Sequence, residues 1–382
     1  MDKLKVLELF GGIGACSKAL ERLGIEYEIA DYVEIDKYAV KSFNAIHNTN
    51  FESQDITKWD KNILVDLIMH GSPCQDFSLA GKQAGGDKDS GTRSSLMYET
   101  IRIVEKIKPK YVIWENVKNL LSKKHIHNFN SYLKKMEELG YSNYYKVLNA
   151  KDYGIPQNRE RVFTISIRTD INKKFEFPKP RPLTIKLKDL LELHVDEKYY
   201  LSEQAIRGRM ITHYQKYKLE ENCINDKEIH PTILARFEGA PTLYKEAIPI
   251  TNATKKGFLE AYEGDGIDIS SRMQYHRGNV QKESIQTITT SGGNDRGVVD
   301  NVNQKLRIRK LTPLETWRLM GFDDNDFKKA EAVNTNTQLY KQAGNSIVVN
   351  VLEAILKNLL LEPQTEMIEG QLSIYDLEVD NG

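Results

Sequence analysis

Two reactive side chains stand directly after strand-like runs of this chain. Cys74 lies in a polar, proline-containing loop after the apolar run Leu64–His70, and Glu115 follows the run Tyr111–Trp114. Ligands of open α/β sheets bind beyond the carboxyl ends of the strands, so we expect both side chains to face one crevice. Cysteine is more often a buried apolar residue, but this loop offers Cys74 little apolar packing. The pattern predicts a thiolate nucleophile beside a carboxyl group that acts as an acid when its pKa is raised.

A glycine-rich turn comes earlier in the chain. The segment from Leu9 to Gly14 reads Leu-Phe-Gly-Gly-Ile-Gly between a strand-like run and a helix-like segment, and Glu34 ends the next strand-like run. Glycines permit a tight turn and a close approach of the backbone to a ligand, and an acid at a strand end can bind ribose hydroxyls. The pattern indicates a nucleoside cofactor. It leaves NAD and S-adenosylmethionine open, because Ser17 stands at the third glycine position of the dinucleotide fingerprint.

Two arginines lead into another strand-like run. Arg159 and Arg161 precede Val162–Ile167, so their guanidinium groups could hold an oxygen or a phosphate at the same edge of the sheet. A charged strand entry with no role in chemistry is the alternative that the residues alone leave open.

The elements that must position these residues alternate between strand and helix over the first 170 residues. This alternation predicts an α/β fold with a largely parallel sheet and helices on both faces. The strand-like runs are Lys5–Phe10, Tyr27–Glu34, Val65–His70, Tyr111–Trp114, Tyr144–Leu148 and Arg161–Ile167. The helix-like segments are Ala15–Leu23, Lys37–His47, Ser94–Lys108 and Phe129–Leu139.

The regular pattern stops at a proline-rich linker and returns near the C-terminus. Prolines at 178, 180 and 182 precede a less regular block, residues 183–308, with short β-type runs. A helix with proline in its first turn is predicted from Thr312, and an apolar helix is predicted over Ser346–Leu360. We therefore expect one domain at 1–180 that is completed by 311–361, a smaller domain at 183–310, and an acidic tail at 362–382 that frays.

The composition excludes several classes of protein. With 40% hydrophobic and 28% charged residues, the chain is typical of a soluble globular protein, and no run approaches the roughly 18 apolar residues of a membrane span. It opens with no secretory signal, and its three cysteines indicate neither a disulfide framework nor a zinc cluster, so we expect a reduced, cytoplasmic setting and no metal. The net charge is zero, but the last 21 residues hold six acids and no Lys or Arg, which leaves +6 on residues 1–361. A modestly positive body is compatible with a polyanionic partner.

Taken together and in order, these motifs resemble those of the DNA (cytosine-5)-methyltransferases. The resemblance spans residues 4–168 and 309–356. The last two family motifs are matched by Arg309-Lys-Leu-Thr-Pro-Leu-Glu315 and Gln342-Ala-Gly-Asn345-Ser346. The resemblance implies a Rossmann-like domain that depends on S-adenosylmethionine, with a smaller, irregular target-recognition domain at 183–310.

The resemblance also implies a role for each matched residue. The implied cofactor-binding residues are Phe10, Gly11, Gly12, Ile13, Gly14, Glu34, Ile35, Asp55, Ile56, Pro73, Leu96, Asn345 and Ser346. Of these, Ile35 departs from the family, in which many members have a tryptophan that stacks on adenine. The implied catalytic residues are Cys74, Gln75, Glu115, Asn116, Arg159 and Arg161.

In the reaction that the resemblance implies, Cys74 adds to C6 of a cytosine that has been flipped out of the duplex. Protonated Glu115 acts on N3, and Asn116 fixes the loop that carries it. Arg161 holds O2 with support from Arg159, while Gln75 faces the vacated stack.

The implied partner is double-stranded DNA, bound by a monomer that has no membrane association. A restriction endonuclease acting on the same site is a candidate companion. A cytosine methyltransferase acting on tRNA stays open, although the block 183–308 favours duplex reading. An NAD-dependent oxidoreductase with a catalytic cysteine is disfavoured by Ser17 and by the Glu-Asn-Val motif at 115. A non-catalytic DNA-binding module would have no reason to combine Cys74, Glu115 and Arg161. The recognised DNA sequence does not follow from these residues.

Overall fold

The computed structural model describes residues 3–73, 96–202, 247–254, 258–270, 278–291, 295–303 and 305–361. The strands in the first part of this described chain are β1 (Leu4–Leu9), β2 (Tyr27–Val33), β3 (Leu67–His70), β4 (Tyr111–Val117), β5 (Tyr141–Asn149), β6 (Gln157–Asn158) and β7 (Glu160–Arg168). All of them except β6 form one sheet, in the order β2-β1-β3-β4-β7-β5.

The direction of the strands follows from the lengths of their connections. Strands β2, β1, β3 and β4 are parallel, whereas β7 is antiparallel to both of its neighbours, β4 and β5. A parallel connection needs a crossover of about a dozen residues or more. Only residues 150–159 separate β5 from β7, so the chain reverses there. The predicted α/β class is confirmed, and β7 is the exception to its largely parallel sheet.

Helices cover both faces of this sheet. In chain order they are α1 (Ala15–Arg22), α2 (Lys37–His47), α3 (Met97–Ile107), α4 (Ile126–Glu138), α5 (Pro313–Arg318), α6 (Asp324–Glu331), α7 (Asn336–Asn345) and α8 (Val349–Leu356). Val6 and Met69 belong to the core cluster that includes α1 and α8, whereas Leu7 and Ile68 belong to the cluster that includes α3 and α4. Successive strand residues thus point to opposite faces, and both faces are buried.

A second lobe follows the proline-rich linker. Its strands are β8 (Ile248–Thr251), β9 (Phe258–Ala261), β10 (Gly266–Asp268), β11 (Val280–Gln281), β12 (Ile285–Gln286), β13 (Arg296–Val302) and β14 (Lys305–Lys310). Four of them form an antiparallel sheet in the order β11-β10-β13-β14, around a hydrophobic cluster that includes Ile250, Ile267 and Ile308. Strand β12 instead pairs in parallel with β6, which joins the two lobes by main-chain hydrogen bonds. The domain limits themselves stay a prediction.

The C-terminal helices return to the first lobe. Helix α5 begins as predicted, because Thr312 Oγ1 accepts from Glu315 N and Glu315 Oε2 accepts from Thr312 N, which closes a capping box. The predicted apolar helix over Ser346–Leu360 is wrong at its start, since Ser346 is extended with ψ of 157° and α8 begins at Val349.

One described stretch, Asn336–Leu361, has the length and hydropathy that would allow it to cross a membrane. In the structure this stretch is divided between α7 and α8. Val349, Leu352 and Ile355 are buried in the core cluster that also holds α1, so we assign the stretch to the protein core.

The strand order creates a crevice. Strand β1 lies between β2 and β3, so the chain leaves β1 toward one side of the sheet and returns on the other side. The carboxyl ends of β1 and β3 therefore flank the topological switch point, where α/β folds bind ligands.

Candidate active site

The turn after β1 borders this crevice. Gly12 has a φ of 56°, and a Cβ placed on it would meet no atom within 4 Å, so this glycine faces open space. Gly14 has a φ of 81°, and a Cβ there would lie 2.2 Å from His47 Nε2. A side chain is therefore excluded at position 14, while position 12 lets a ligand approach the backbone. Phe10 also has a positive φ, 54°, and Ile13 is buried in the core.

Tyr32 and Glu8, which the sequence analysis did not single out, hold this turn from behind. Tyr32 Oη donates to Gly12 O at 2.6 Å, and a Cβ on Gly11 would lie 2.6 Å from the Tyr32 ring. Glu8 Oε1 accepts from Ser17 N at 3.0 Å and from Ser17 Oγ at 2.5 Å. Burial raises the pKa of Glu8, although the bonds from Ser17 oppose that shift. Ser17 thus anchors helix α1, and an acid inside an apolar strand was the available sequence signal.

Glu34 lies at the end of β2 and reaches the same turn. Its Oε2 accepts from Gly12 N at 3.2 Å and its Oε1 accepts from Asp36 N at 2.8 Å. Burial raises the pKa of Glu34, and the bonds from these backbone N–H groups counteract it. Each carboxylate oxygen has a further lone pair. The half-buried Glu34 can therefore accept hydrogen bonds from ligand hydroxyls beside Gly12.

Three further predicted cofactor residues lie next to Glu34 or on the following turn. The Ile35 side chain is 72% exposed. Asp55 accepts from the amide and the hydroxyl of Thr57 at 3.0 and 2.8 Å, and these bonds lower its pKa. Gln54 N donates to Glu34 O at 2.8 Å, which joins this turn to the end of β2. Ile56 is packed in the core, which leaves its main chain as the part that can contact a nucleoside.

The predicted nucleophile Cys74 and its neighbour Gln75 lie outside the described residues. Pro73 and Leu96, which stand on either side of that segment, are both half-buried. A Cβ on Gly71 would lie 3.8 Å from Glu115 Oε2. The chain that leads to Cys74 therefore passes beside Glu115.

Ser72 ties the end of β3 to the end of β4. Trp114 Nε1 donates to Ser72 Oγ at 2.9 Å, and Asn116 Nδ2 donates to Ser72 O at 3.3 Å. Asn116 Oδ1 also accepts from Val117 N at 2.9 Å. These three bonds surround Glu115 in sequence and fix the backbone that carries it. The sequence analysis missed Ser72, whose only signal was its place between a strand and a proline.

Glu115 and Arg161 form an ion pair at this edge. Arg161 Nε lies 3.0 Å from Glu115 Oε1, and both side chains are less than one-fifth exposed. Burial raises the pKa of Glu115, and the positive charges of Arg161 and Arg159 oppose this effect. A buried carboxyl with a raised pKa retains its proton nearer to neutral pH, which is what an acid catalyst requires.

Arg159 makes a different kind of contact from Arg161. Its guanidinium donates to the carbonyl oxygens of Ile288, Gly344 and Ser346 at 3.1, 3.1 and 2.8 Å. Only 4% of Arg159 is exposed. Its contacts thus connect the second lobe to the C-terminal part of the first lobe, a role that its predicted part in holding a base did not include.

The motif at 342–346 also serves to join parts of the fold. Gln342 Nε2 donates to Tyr38 O at 3.0 Å, which fixes α7 to α2. A Cβ on Gly344 would lie 2.5 Å from backbone atoms of Thr289, so only glycine allows this approach of the lobes. Ser346 is buried, whereas Asn345 is exposed at the end of α7.

The site thus consists of a glycine turn with a strand-end acid, Glu34, and of the ion pair between Glu115 and Arg161, all at one edge of the sheet. Within the described residues, no group of three or more His, Cys, Asp and Glu side chains is placed to hold a metal ion. An α/β sheet that carries a glycine turn, a strand-end acid and a buried acid–arginine pair at one edge has the parts that a group-transfer enzyme needs.

The family model that matches residues 4–361 is that of the C-5 cytosine-specific DNA methylases. The orphan methyltransferase M.SPRI of Bacillus phage SPR is 34% identical, over 94% of this chain and 98% of its own length. The type II methyltransferase M2.ScrFI of Lactococcus lactis subsp. cremoris is also 34% identical, over 93% and 99%. The solved S. pombe Dnmt2 methyltransferase shares the fold, with a TM-score of 0.61 at 18% identity over 94% of this chain and all of that one. The chain belongs to the C-5 cytosine-specific DNA methylase family and is a DNA (cytosine-5-)-methyltransferase.

Proposed function

We propose that this enzyme transfers the methyl group of S-adenosylmethionine to C5 of a cytosine that is flipped out of a specific double-stranded DNA sequence, through a covalent bond between Cys74 and C6. The observation that supports this most is the buried pair of Glu115 and Arg161, with 3.0 Å between Oε1 and Nε, beside the chain that enters Cys74. This pair offers a proton donor and a cation to the ring edge that becomes negative during addition.

The crevice fits S-adenosylmethionine by the chemistry of its residues. Glu34 offers carboxylate oxygens to the ribose hydroxyls, and Gly12 leaves open space over the backbone between them and the strand end. The exposed apolar side chain of Ile35 would pack against the adenine, and the Asp55 carboxylate on the neighbouring turn would accept from its amino group. When bound, S-adenosylmethionine supplies an electrophilic methyl group on a sulfonium.

The chain's own residues prepare the cytosine. The Cys74 thiolate adds to C6, which pushes the π electrons of the C5–C6 double bond toward C4 and N3. The resulting enamine makes C5 a nucleophile. Glu115 gives its proton to N3 as that atom becomes basic, and Arg161 holds O2. After C5 has gained the methyl group, water takes the C5 proton, and the electron pair of that C–H bond restores the C5–C6 double bond as the Cys74 thiolate leaves. N3 returns its proton to Glu115, so the product is neutral 5-methylcytosine.

A duplex that carries 5-fluorocytosine at the target tests this mechanism. A fluorine at C5 cannot be removed in the way that a proton can, so Cys74 cannot be eliminated and the enzyme should stay bound covalently. A denaturing gel should show the adduct. Cys74→Ser should give no adduct, since a hydroxyl near neutral pH is a far weaker nucleophile than a thiolate. Cys16→Ser is the matched control, because Cys16 is buried in α1 and should still allow trapping. An adduct formed by Cys74→Ser at the wild-type rate would falsify the covalent mechanism.

Glu115→Gln separates the ring chemistry from cofactor binding. The amide keeps the size of the side chain but cannot give up a proton, so adduct formation should slow while binding of the adenosylhomocysteine product, measured by calorimetry, stays close to wild type. Equal losses in both measurements would place Glu115 in the cofactor site instead.

We also propose that residues 183–310 choose the target and that the enzyme acts on DNA as a monomer, either alone or beside a restriction endonuclease of the same specificity. Exchange of residues 183–308 for the matching block of a relative should move the methylated site, as read by bisulfite sequencing of host DNA. A folded, active hybrid that keeps the old site would contradict this placement. Parallel assays on duplex DNA and tRNA decide between the two polynucleotides.

A further inference from the structure

A basic loop leaves the active-site edge directly after Glu115. We define the basic loop as residues Lys118–His127, from the end of β4 into the first turn of α4. The basic loop contains three lysines and two histidines and no Asp or Glu, in a chain whose net charge is zero. Such a local excess of positive charge beside an active site is the electrostatic footprint of a polyanion.

The basic loop is folded into a fixed shape. Residues Lys118–Leu121 form a 3₁₀ turn, and Leu120 is fully buried in the core cluster of α3 and α4. Ser122 N donates to Asn119 O at 3.0 Å, and His125 N donates to Ser122 O at 2.9 Å. The lysines that follow the turn are therefore presented by an ordered backbone, which lowers the entropy cost of a contact.

The charges near the basic loop are unequally compensated. Glu160 is paired with Lys118 at 3.0 Å, and Glu115 is paired with Arg161. Lys123 and Lys124 are exposed and have no ion-pair partner in the part of the chain that the structure describes. The chain from Glu115 to Lys123 spans at most about 28 Å when fully extended, and the intervening turn shortens it. Two uncompensated ammonium groups thus lie on the loop that leaves the sheet edge at which Glu115 would hold a base.

We propose that Lys123 and Lys124 bind backbone phosphates of the substrate DNA next to the flipped nucleotide. This inference rests on the proposed function, since it takes the base to be held at Glu115. Ammonium groups are point charges that suit phosphate oxygens without reading base edges, so the contact adds affinity but no sequence preference. It positions the duplex against the first lobe, while the choice of sequence stays with the second lobe.

The chain provides a matched control on α4, the helix that follows Lys123 and Lys124. Lys134 and Lys135 are also adjacent, but they lie about 12 Å further along α4 than its first residue, toward the opposite edge of the sheet. Lys135 is paired with Glu138 at 3.1 Å. The double variants K123Q/K124Q and K134Q/K135Q each remove two positive charges, the first from the basic loop and the second from α4.

The test measures the dissociation constant of each full-length enzyme for duplex DNA as a function of salt. Each lost phosphate contact lowers the slope of log affinity against log salt by about 0.9, so K123Q/K124Q should lose about 1.8 from the slope and about 60-fold in affinity at 0.1 M salt. The loss should be equal on target and non-target duplexes and should appear in KM for DNA more than in kcat. K134Q/K135Q should keep the wild-type slope.

The outcomes distinguish the inference from the proposed function. An unchanged slope in K123Q/K124Q, or an equal change in K134Q/K135Q, would overturn the phosphate contact even while the wild type still forms its 5-fluorocytosine adduct. Failure of the wild-type enzyme to form that adduct would instead refute the proposed mechanism, whatever the salt slopes are. Thermal unfolding midpoints that match the wild-type midpoint verify that these surface changes leave the fold intact.

Discussion

Arg159 and Arg161 stand two residues apart, and the structure predicts opposite consequences when each is replaced by alanine. Arg159→Ala removes three hydrogen bonds to carbonyl oxygens, the buried ones of Ile288 and Ser346 and the partly buried one of Gly344. A net loss of about 1–1.5 kcal/mol for each bond gives about 3–5 kcal/mol. Native proteins are stable by only about 5–15 kcal/mol, so this one change should remove a large share of the stability.

Arg161→Ala should be nearly neutral for stability and severe for chemistry. Its main partner is the Glu115 carboxylate, and burial raises the pKa of Glu115, so this group can take up a proton when the cation is gone. We expect a stability within about 1 kcal/mol of wild type. Formation of the 5-fluorocytosine adduct should be largely lost.

Urea unfolding followed by tryptophan fluorescence measures this difference. The three tryptophans, Trp59, Trp114 and Trp317, are all buried, so they report on loss of the core around the first sheet and α5. Adduct formation is measured without urea, at a temperature at which both variants are folded. If Arg159→Ala is as stable as wild type but forms no adduct, then Arg159 acts on the base and the structural role derived from its carbonyl contacts is wrong.

Four further substitutions give distinct readouts. Gly344→Ala should lower the free energy of unfolding by about 1–3 kcal/mol or more, because its Cβ would meet backbone atoms at 2.5 Å. Gly12→Ala should lower it by only about 1–2 kcal/mol, because of its φ of 56°, but should also weaken binding of adenosylhomocysteine. Denaturation measures the first effect, and calorimetry measures the second. Glu34→Ala should weaken adenosylhomocysteine binding and leave adduct formation less affected, and unchanged calorimetry would count against Glu34 as a ribose ligand. The raised pKa of Glu115 means that its proton is present below that pKa and is lost as the pH rises through it, so the single-turnover rate should fall at high pH. Glu115→Gln should be slower but lack this alkaline limb, and a limb of the same size in the variant would assign the titration to another group.

The parts of the fold that are set by local sequence could be predicted. The glycine turn could be predicted because it contains a position that only glycine can occupy. Gly14 has a positive φ and no room for a Cβ. The start of α5 follows from a capping box that is complete within four residues, Thr312 to Glu315. The placement of Glu34 at the end of β2 follows from the strand-like run before it. Each of these inferences depends on neighbours in the chain, which a sequence displays directly.

The parts that depend on distant partners could not be predicted. The run Arg161–Ile167 looks like any buried strand, and nothing in its residue types states that it is antiparallel to β4. The break at Ser346 is hidden in an apolar stretch that would suit one helix. The partners of Arg159 lie 129 to 187 residues further along the chain. A pattern of residue types shows that Arg159 and Arg161 are charged, but only the packing shows which one is buried among carbonyls.

In the segment from Gln157 to Arg161, residues that hold the two lobes together alternate with a residue that contacts Glu115. Gln157 Nε2 donates to Leu319 O at 2.8 Å, and its Oε1 accepts from Ile288 N at 3.1 Å. Gln157 and Arg159 therefore both hold Ile288 of the second lobe against the first lobe, and the next alternate residue, Arg161, faces Glu115. A short extended segment has little freedom to move one of these side chains without the others. The alignment of Arg161 with Glu115 thus depends on the docking of the second lobe, so a change in that interface should alter the chemistry of the base even when no residue that touches the base is replaced.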